Sequence, residues 1–301
     1  MIATRFGGKS IGRCATFILG AAGISVSSSA AAQQAARIDQ KSLLEQTRKA
    51  YYQPIERGVQ GFACTVGFNW TDVLERASGR KIPAREPTLV ALNNATVTVT
   101  NDLIKGPVVK VVYPAGAPMA PASVTSREKI LHNVVTASLA GWNPFLSDRI
   151  FPLEGTKYRF EAAPSGYKLT LEGTNFFSIL DLDAKLMVTH GESHLNGVTT
   201  EFTPTFDPST HGWLITSLKT VTTQSAVSST AENKAESSSS GPAAEGDNAS
   251  FTFSYQFVGD MLVPKKVAVQ YGDGLETPYE LKDCSLVKTT AESNAAPTSK
   301  P

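Results

Sequence analysis

Most of this chain alternates polar and apolar residues with a period of two, and tight-turn residues cut the alternation into short segments. Asn94-Ala-Thr-Val-Thr-Val-Thr100 and Val108-Val-Lys-Val-Val-Tyr113 show the pattern, as do 61–68, 157–162, 167–171, 176–183, 213–223, 251–257, 263–271 and 278–287. Successive side chains of a strand point to opposite faces, so this period specifies strands with one face buried. The separators are Pro164-Ser-Gly166, Gly173, Asp183-Ala-Lys185, Asn196-Gly197, Gly259-Asp260 and Gly272-Asp-Gly274. Such short links join antiparallel neighbours, and Asn-Gly is the strongest hairpin signal among them. The expected fold class is therefore α+β and mostly antiparallel. A flat open sheet of that width is uncommon, so about ten strands should form a strongly curved sheet or half-open barrel covered by a few helices.

Three segments carry helical rather than strand spacing. The first spans 33–55, with Leu43, Leu44, Tyr51, Tyr52 and Ile55 apolar and Pro54 helping to end it. A short helix is predicted after Asn69, stopping near Gly79. The third opens on Thr125-Ser-Arg-Glu128, which reads as a capping box, and continues as the apolar stripe Ile130, Leu131, Val134, Val135 and Leu139 before Trp142 and Pro144.

The first 32 residues read as a secretory signal. Arg5, Lys9 and Arg13 precede a small apolar run, and small residues end it at Ala30-Ala-Ala32. That run is shorter than the roughly 20 residues that span a bilayer, so cleavage near Ala32 is expected to leave no transmembrane anchor in the mature chain. The protein is then periplasmic or secreted. Cleavage lowers the 28 Lys and Arg to 25 against 27 Asp and Glu, a mildly acidic balance with no concentrated basic surface for nucleic acid.

Export leaves two cysteines, Cys64 and Cys284, in strand-like stretches near the two ends of the mature chain. An oxidising compartment favours a disulfide between them, tying the first strand to the last. Composition shifts at 224–250, a serine-rich stretch without an aromatic residue, and again at 290–301. Neither segment buries enough apolar surface to offset its ordering entropy, so an inserted disordered loop and a disordered tail are expected. The strand-rich residues after the loop are too few for a core of their own. One β domain over 33–289 is the reading.

At this point the pattern resembles the periplasmic lipoprotein-carrier superfamily, LolA/LolB-like and RseB N-terminal-like. The likeness is carried by the N-terminal helix leading into Gly61-Phe-Ala-Cys-Thr-Val-Gly-Phe68, by Tyr167-Lys-Leu-Thr-Leu171 through Leu180-Asp-Leu-Asp183, and by Phe253-Ser-Tyr-Gln-Phe257 through Leu262-Val-Pro-Lys-Lys-Val267. The resemblance implies a curved antiparallel sheet around an apolar cavity, with helices as a lid.

Chemical motifs are weak. Gly8-Lys-Ser-Ile-Gly12 matches a nucleophile elbow but lies in the signal. His190 and His194 would stand about 13 Å apart on an extended strand at about 3.3 Å per residue, too far for one zinc. Asp181 and Asp183 share a face about 6.6 Å apart and read as a strand entering its turn. No catalytic residue, metal ligand or cofactor is assigned, and the protein reads as a non-enzyme.

One-sided apolar decoration is stronger. Phe251, Phe253, Tyr255 and Phe257 alternate on one strand, and Val263, Val267, Val269 and Tyr271 on the next, so both rows should face the interior. That interior is either packed solid under the helices or open for an acyl chain, with Tyr167, Leu169, Leu171, Phe253, Tyr255 and Phe257 among its walls. The leading expectation is an exported binding or carrier protein sheltering lipid or lipoprotein acyl chains. An envelope scaffold or sensor recognising a protein partner is the alternative, and an exported hydrolase the third.

Overall fold

Turns of two to four residues force consecutive segments into antiparallel contact, and that local rule builds nearly the whole sheet. The computed structural model describes residues 38–115, 122–224, 247–272, 274 and 276–288. These belong to one compact unit that starts at Ile38. Among the described residues there are twelve strands, two more than about ten: β1 Val59–Phe68, β2 Thr96–Asp102, β3 Gly106–Val112, β4 Lys157–Ala163, β5 Gly166–Glu172, β6 Phe176–Asp183, β7 Val188–Leu195, β8 Val198–Ser209, β9 Gly212–Gln224, β10 Asp247–Val258, β11 Met261–Tyr271 and β12 Thr277–Lys288. The least legible is β8, whose Pro204 and Pro208 argue against a central strand. It nonetheless pairs with β9 along its length, past an irregularity at Thr205/Phe206.

The order is β3-β2-β1-β12-β11-β10-β9-β8-β7-β6-β5-β4. Strands β4 to β12 form one meander, and β1 joins its far edge by pairing with β12. Cys64 and Cys284 are disulfide-bonded across that seam, with Cα atoms 4.2 Å apart. The ladder shifts register there, and Asp283 takes a left-handed φ of 49°, a conformation Asp tolerates better than most residues. Residues 247–250 correct the expected loop boundary. Asp247 to Ser250 pair with β9, where Ala249 leads into the buried Phe251, so register outweighs polar composition. The rest of that loop, 225–246, lies outside the described residues, as do the expected signal at 1–32 and the expected tail at 290–301.

The helices are α1 Gln40–Lys49, α2 Trp70–Ser78, α3 Pro87–Asn94 and α4 Ala122–Leu146, with a short 3-10 turn at Ile55–Arg57. Helix α1 is shorter than predicted: Asp39 caps it, and Tyr51 pairs in a parallel bridge with Trp213, whose N–H donates to the Ala50 carbonyl and whose carbonyl accepts the Tyr52 N–H. Asn69 caps α2 and Gly79, at φ 66°, ends it, as the sequence indicated. Helix α3 was not expected; it starts on Pro87, whose fixed φ suits a first helical position.

Helix α4 departs most from expectation. It begins at Ala122, so Thr125 lies inside the helix and the capping box does not form. Val124 is fully buried, drawing the first turn onto the protein, and Glu128 accepts the Tyr113 hydroxyl instead of serving the cap. Ile130 is 48% exposed and falls off the buried stripe. At its other end the helix runs through Pro144, because Trp142, Asn143, Phe145 and Leu146 are all buried and hold the last turn in place.

This helix carries the chain from one edge strand, β3, to the other, β4. Its last turns touch both halves of the sheet. Asn143 exchanges side-chain amide hydrogen bonds with Asn101 of β2, while the Phe145 ring lies 5.6 Å from that of Phe206 in β8. In a flat sheet, six steps of about 4.8 Å would put β2 and β8 about 29 Å apart. Two helical residues rise only about 3 Å. The sheet therefore curls around the C-terminal half of α4 and stays open, since β3 and β4 do not pair.

Candidate functional site

Under α4 the concave face is packed solid. Phe62 meets Trp142 edge to face, Tyr255 accepts the Trp142 indole N–H at 2.9 Å, and the Ser138 and Tyr279 hydroxyls lie 2.6 Å apart. The two tyrosines pin the helix to the sheet, and burial raises both phenols well above their ordinary range.

Space remains further along, toward the β4 edge. There a cleft of about 320 Å³ opens between the segment that follows α4 and the strands β5 to β8. One wall is Pro144 with Arg149, Ile150, Phe151, Pro152, Leu153 and Thr156. The floor is Leu171 of β5, Phe176, Ser178 and Leu180 of β6, Ser193 of β7 and Phe202 of β8. Period two sets this floor, since Phe176, Ser178 and Leu180 share one face of β6. Two glycines shape it. Phe202 pairs directly with Gly191, and a Cβ on Gly191 would stand 2.1 Å from the Phe202 ring; a Cβ on Gly173 would stand 2.0 Å from that of Phe176. Both cleft phenylalanines thus occupy space that only glycine leaves vacant.

The upper wall is held from α1. Arg48 pairs with Asp148 at 2.6 Å and donates to the Pro152 carbonyl, so one guanidinium grips the wall at two points. Between them the buried Phe151 ring sits 5.2 Å from that of Tyr51. Tyr51 in turn accepts the Val188 N–H at 2.7 Å and bonds the Leu186 carbonyl at 3.3 Å, tying the wall to the β6–β7 turn. Burial pushes the Asp148 carboxyl up to about 6; the Arg48 charge opposes the rise and Glu56 adds to it. Gln40 exchanges two hydrogen bonds with the Phe160 backbone and covers part of the β4 edge.

Of the six residues expected to line a cavity, the cleft includes Leu171. Leu169 and Phe253 are buried in the continuous core, and Tyr255 is spent on Trp142 and the Ile215 carbonyl. Tyr167 is half-buried against that core. Phe257 is 69% exposed, which corrects its placement in the interior: it pairs with Leu262 beside the Gly259-Asp260 turn, at the end of the hairpin. Tyr271 is likewise exposed at the opposite strand end. Alternation assigns a face but not the length of strand that a helix covers. The residues that sequence reasoning missed are the wall at 149–156 and the glycine-seated rings of Phe176 and Phe202. Their signal was two glycines in the strand region, readable only with the register in hand.

The polar motifs resolve as ordinary structure. His194 contacts Glu192 at 2.8 Å and Thr199 at 2.9 Å, and Asp183 accepts the N–H groups of Lys185 and Met187 within its own turn. Among the described residues no group of three or more His, Cys, Asp or Glu side chains is placed to hold a metal ion. No described helix is long and apolar enough to cross a membrane. Comparison with known proteins returns no matching family model, no matching curated protein and no matching solved structure.

Proposed function

We propose that the protein is an exported, non-enzymatic binding protein that shelters an apolar ligand in the cleft between the 149–153 wall and strands β5 to β8. One observation carries the reading: beside the buried core lies an apolar recess floored by Leu171, Leu180, Phe176 and Phe202. Its volume lies at the lower end of the roughly 300–1,000 Å³ of ligand pockets, which suits one acyl chain rather than the several of a lipoprotein. The resemblance to lipoprotein carriers supplies the class of activity, and the open sheet with a covering helix is in keeping with it. Export rests on the signal-like N-terminus and accords with the Cys64–Cys284 bond.

The test is displacement of the neutral apolar fluorophore N-phenylnaphthylamine. The mature protein should enhance its fluorescence saturably, and Ser193→Trp, which fills the floor, should abolish the effect without lowering the melting temperature. Equal enhancement by both proteins would remove the cleft from consideration.

A second reading, recognition of a protein partner, has its own observation. Val108 and Val112 are exposed on the unpaired edge strand β3, which could accept an added strand. Crosslinking from Val112→Cys in intact cells would test it, and recovery of the uncrosslinked monomer alone would count against it.

A further inference from the structure

The cleft is apolar except at one corner. Among its lining residues Arg149 is the one that carries a charge; the remaining polar groups are the hydroxyls of Thr156, Ser178 and Ser193. The Arg149 side chain is anchored rather than free to swing, since its Nη1 donates to the Ile104 carbonyl of the β2–β3 turn at 2.6 Å. That bond uses one of the five N–H donors of a guanidinium. Among the described residues no carboxylate pairs with Arg149, whereas the neighbouring Arg48 is neutralised by Asp148. An unneutralised, positioned cation in the lining of an apolar recess is complementary to a ligand with an apolar tail and an anionic head.

We infer that the cleft binds a single-chain anionic amphiphile of the fatty-acid type, its chain over Phe176, Leu180 and Phe202 and its carboxylate at Arg149. The inference rests on the apolar-ligand reading above and adds the charge and the orientation of the ligand. A neutral chain of equal length loses the head-group contact, and a cationic one is repelled. Arg149 is exposed, so the preference has the size of a solvent-exposed ion pair, roughly fivefold in affinity, and weakens as salt is added.

The experiment measures displacement of N-phenylnaphthylamine by dodecanoate and by dodecanol, below their aggregation limits, from the wild-type protein, Arg149→Gln and Arg149→Lys. The ratio of the two affinities is the readout. Going from wild type to Arg149→Gln should lower the ratio of dodecanoate to dodecanol affinity roughly fivefold, and Arg149→Lys should restore part of it. If dodecanol binds in a Ser193→Trp-sensitive manner but the ratio is the same in wild type and Arg149→Gln, the anionic-head assignment is overturned and the cleft stands. If neither amphiphile displaces the fluorophore from any of the proteins, the cleft reading fails and this inference fails with it.

Discussion

The buried Asn101–Asn143 pair pins the last turns of α4 against β2 while Phe145 reaches β8. Replacing Asn101 with Leu removes two amide hydrogen bonds, of 2.7 and 3.0 Å. It leaves Asn143 almost wholly buried, with its side-chain carbonyl unpaired and one N–H still on the Asp102 carbonyl at 3.2 Å. A buried group stripped of its partner costs about 1–3 kcal/mol, and each of the two lost bonds contributes about 1, so the single substitution should cost about 3–5 kcal/mol. Asn143→Leu strands Asn101 in the same way. In Asn101→Leu/Asn143→Leu neither amide remains to be stranded, and the double variant should be at least as stable as either single one. The coupling energy is then about 3 kcal/mol or more. Urea unfolding of the four proteins, compared at constant m-value, measures it. Additivity within about 0.5 kcal/mol would show that the amides do not act as a pair and would remove the pin from the explanation of the curl.

Three further outcomes follow from the same contacts. Tyr51→Phe leaves the Val188 N–H buried without its acceptor and should cost about 1–3 kcal/mol in urea unfolding; an unchanged midpoint would mean the tyrosine does not tie the wall to the β6–β7 turn. Asp148 binds its proton more tightly folded, at about 6, than unfolded, at 3.8, so its contribution to stability falls as pH rises from about 4 to 6, by up to about 3 kcal/mol. Asp148→Asn, which keeps the left-handed backbone preference, should remove that slope, and identical pH profiles for the two proteins would contradict the assignment. The Cys64–Cys284 bond closes a sequence separation of 220 residues, worth about 5 kcal/mol by the chain-entropy relation. Cys64→Ala/Cys284→Ala should lower the unfolding free energy by a substantial part of that, and a loss below about 1 kcal/mol would mean that the β1–β12 seam holds without the bond.

Legibility in the sequence tracked the range of the interaction concerned. The Asn196-Gly197 turn is a two-residue matter: both residues take positive φ, 52° and 79°, and the hairpin forms where the dipeptide indicated. Strand β6 begins and ends on the residues that period two marked, 176 and 183. The disulfide was readable because it needed only two strand-borne cysteines in a chain with a signal-like N-terminus. Helix α4 was misread at both ends, because burial of Val124 overrides the capping signal and the grip on Trp142 and Asn143, from strands distant in sequence, overrides the proline signal. The cleft was missed for a related reason. Seating Phe202 over Gly191 requires the β7–β8 register, and gripping 148–152 from Arg48 spans about a hundred residues of chain. Phe257 shows the limit of periodicity in one residue: its face is that of Phe253, but no element covers it.

The most direct test of ligand binding is native mass spectrometry of the protein purified without detergent from its native cells. The account predicts a bound molecule at one per chain, released by organic solvent, identified as a single-chain amphiphile and absent from Ser193→Trp. A bare protein mass in both proteins, together with unaltered fluorophore binding by Ser193→Trp, would contradict it.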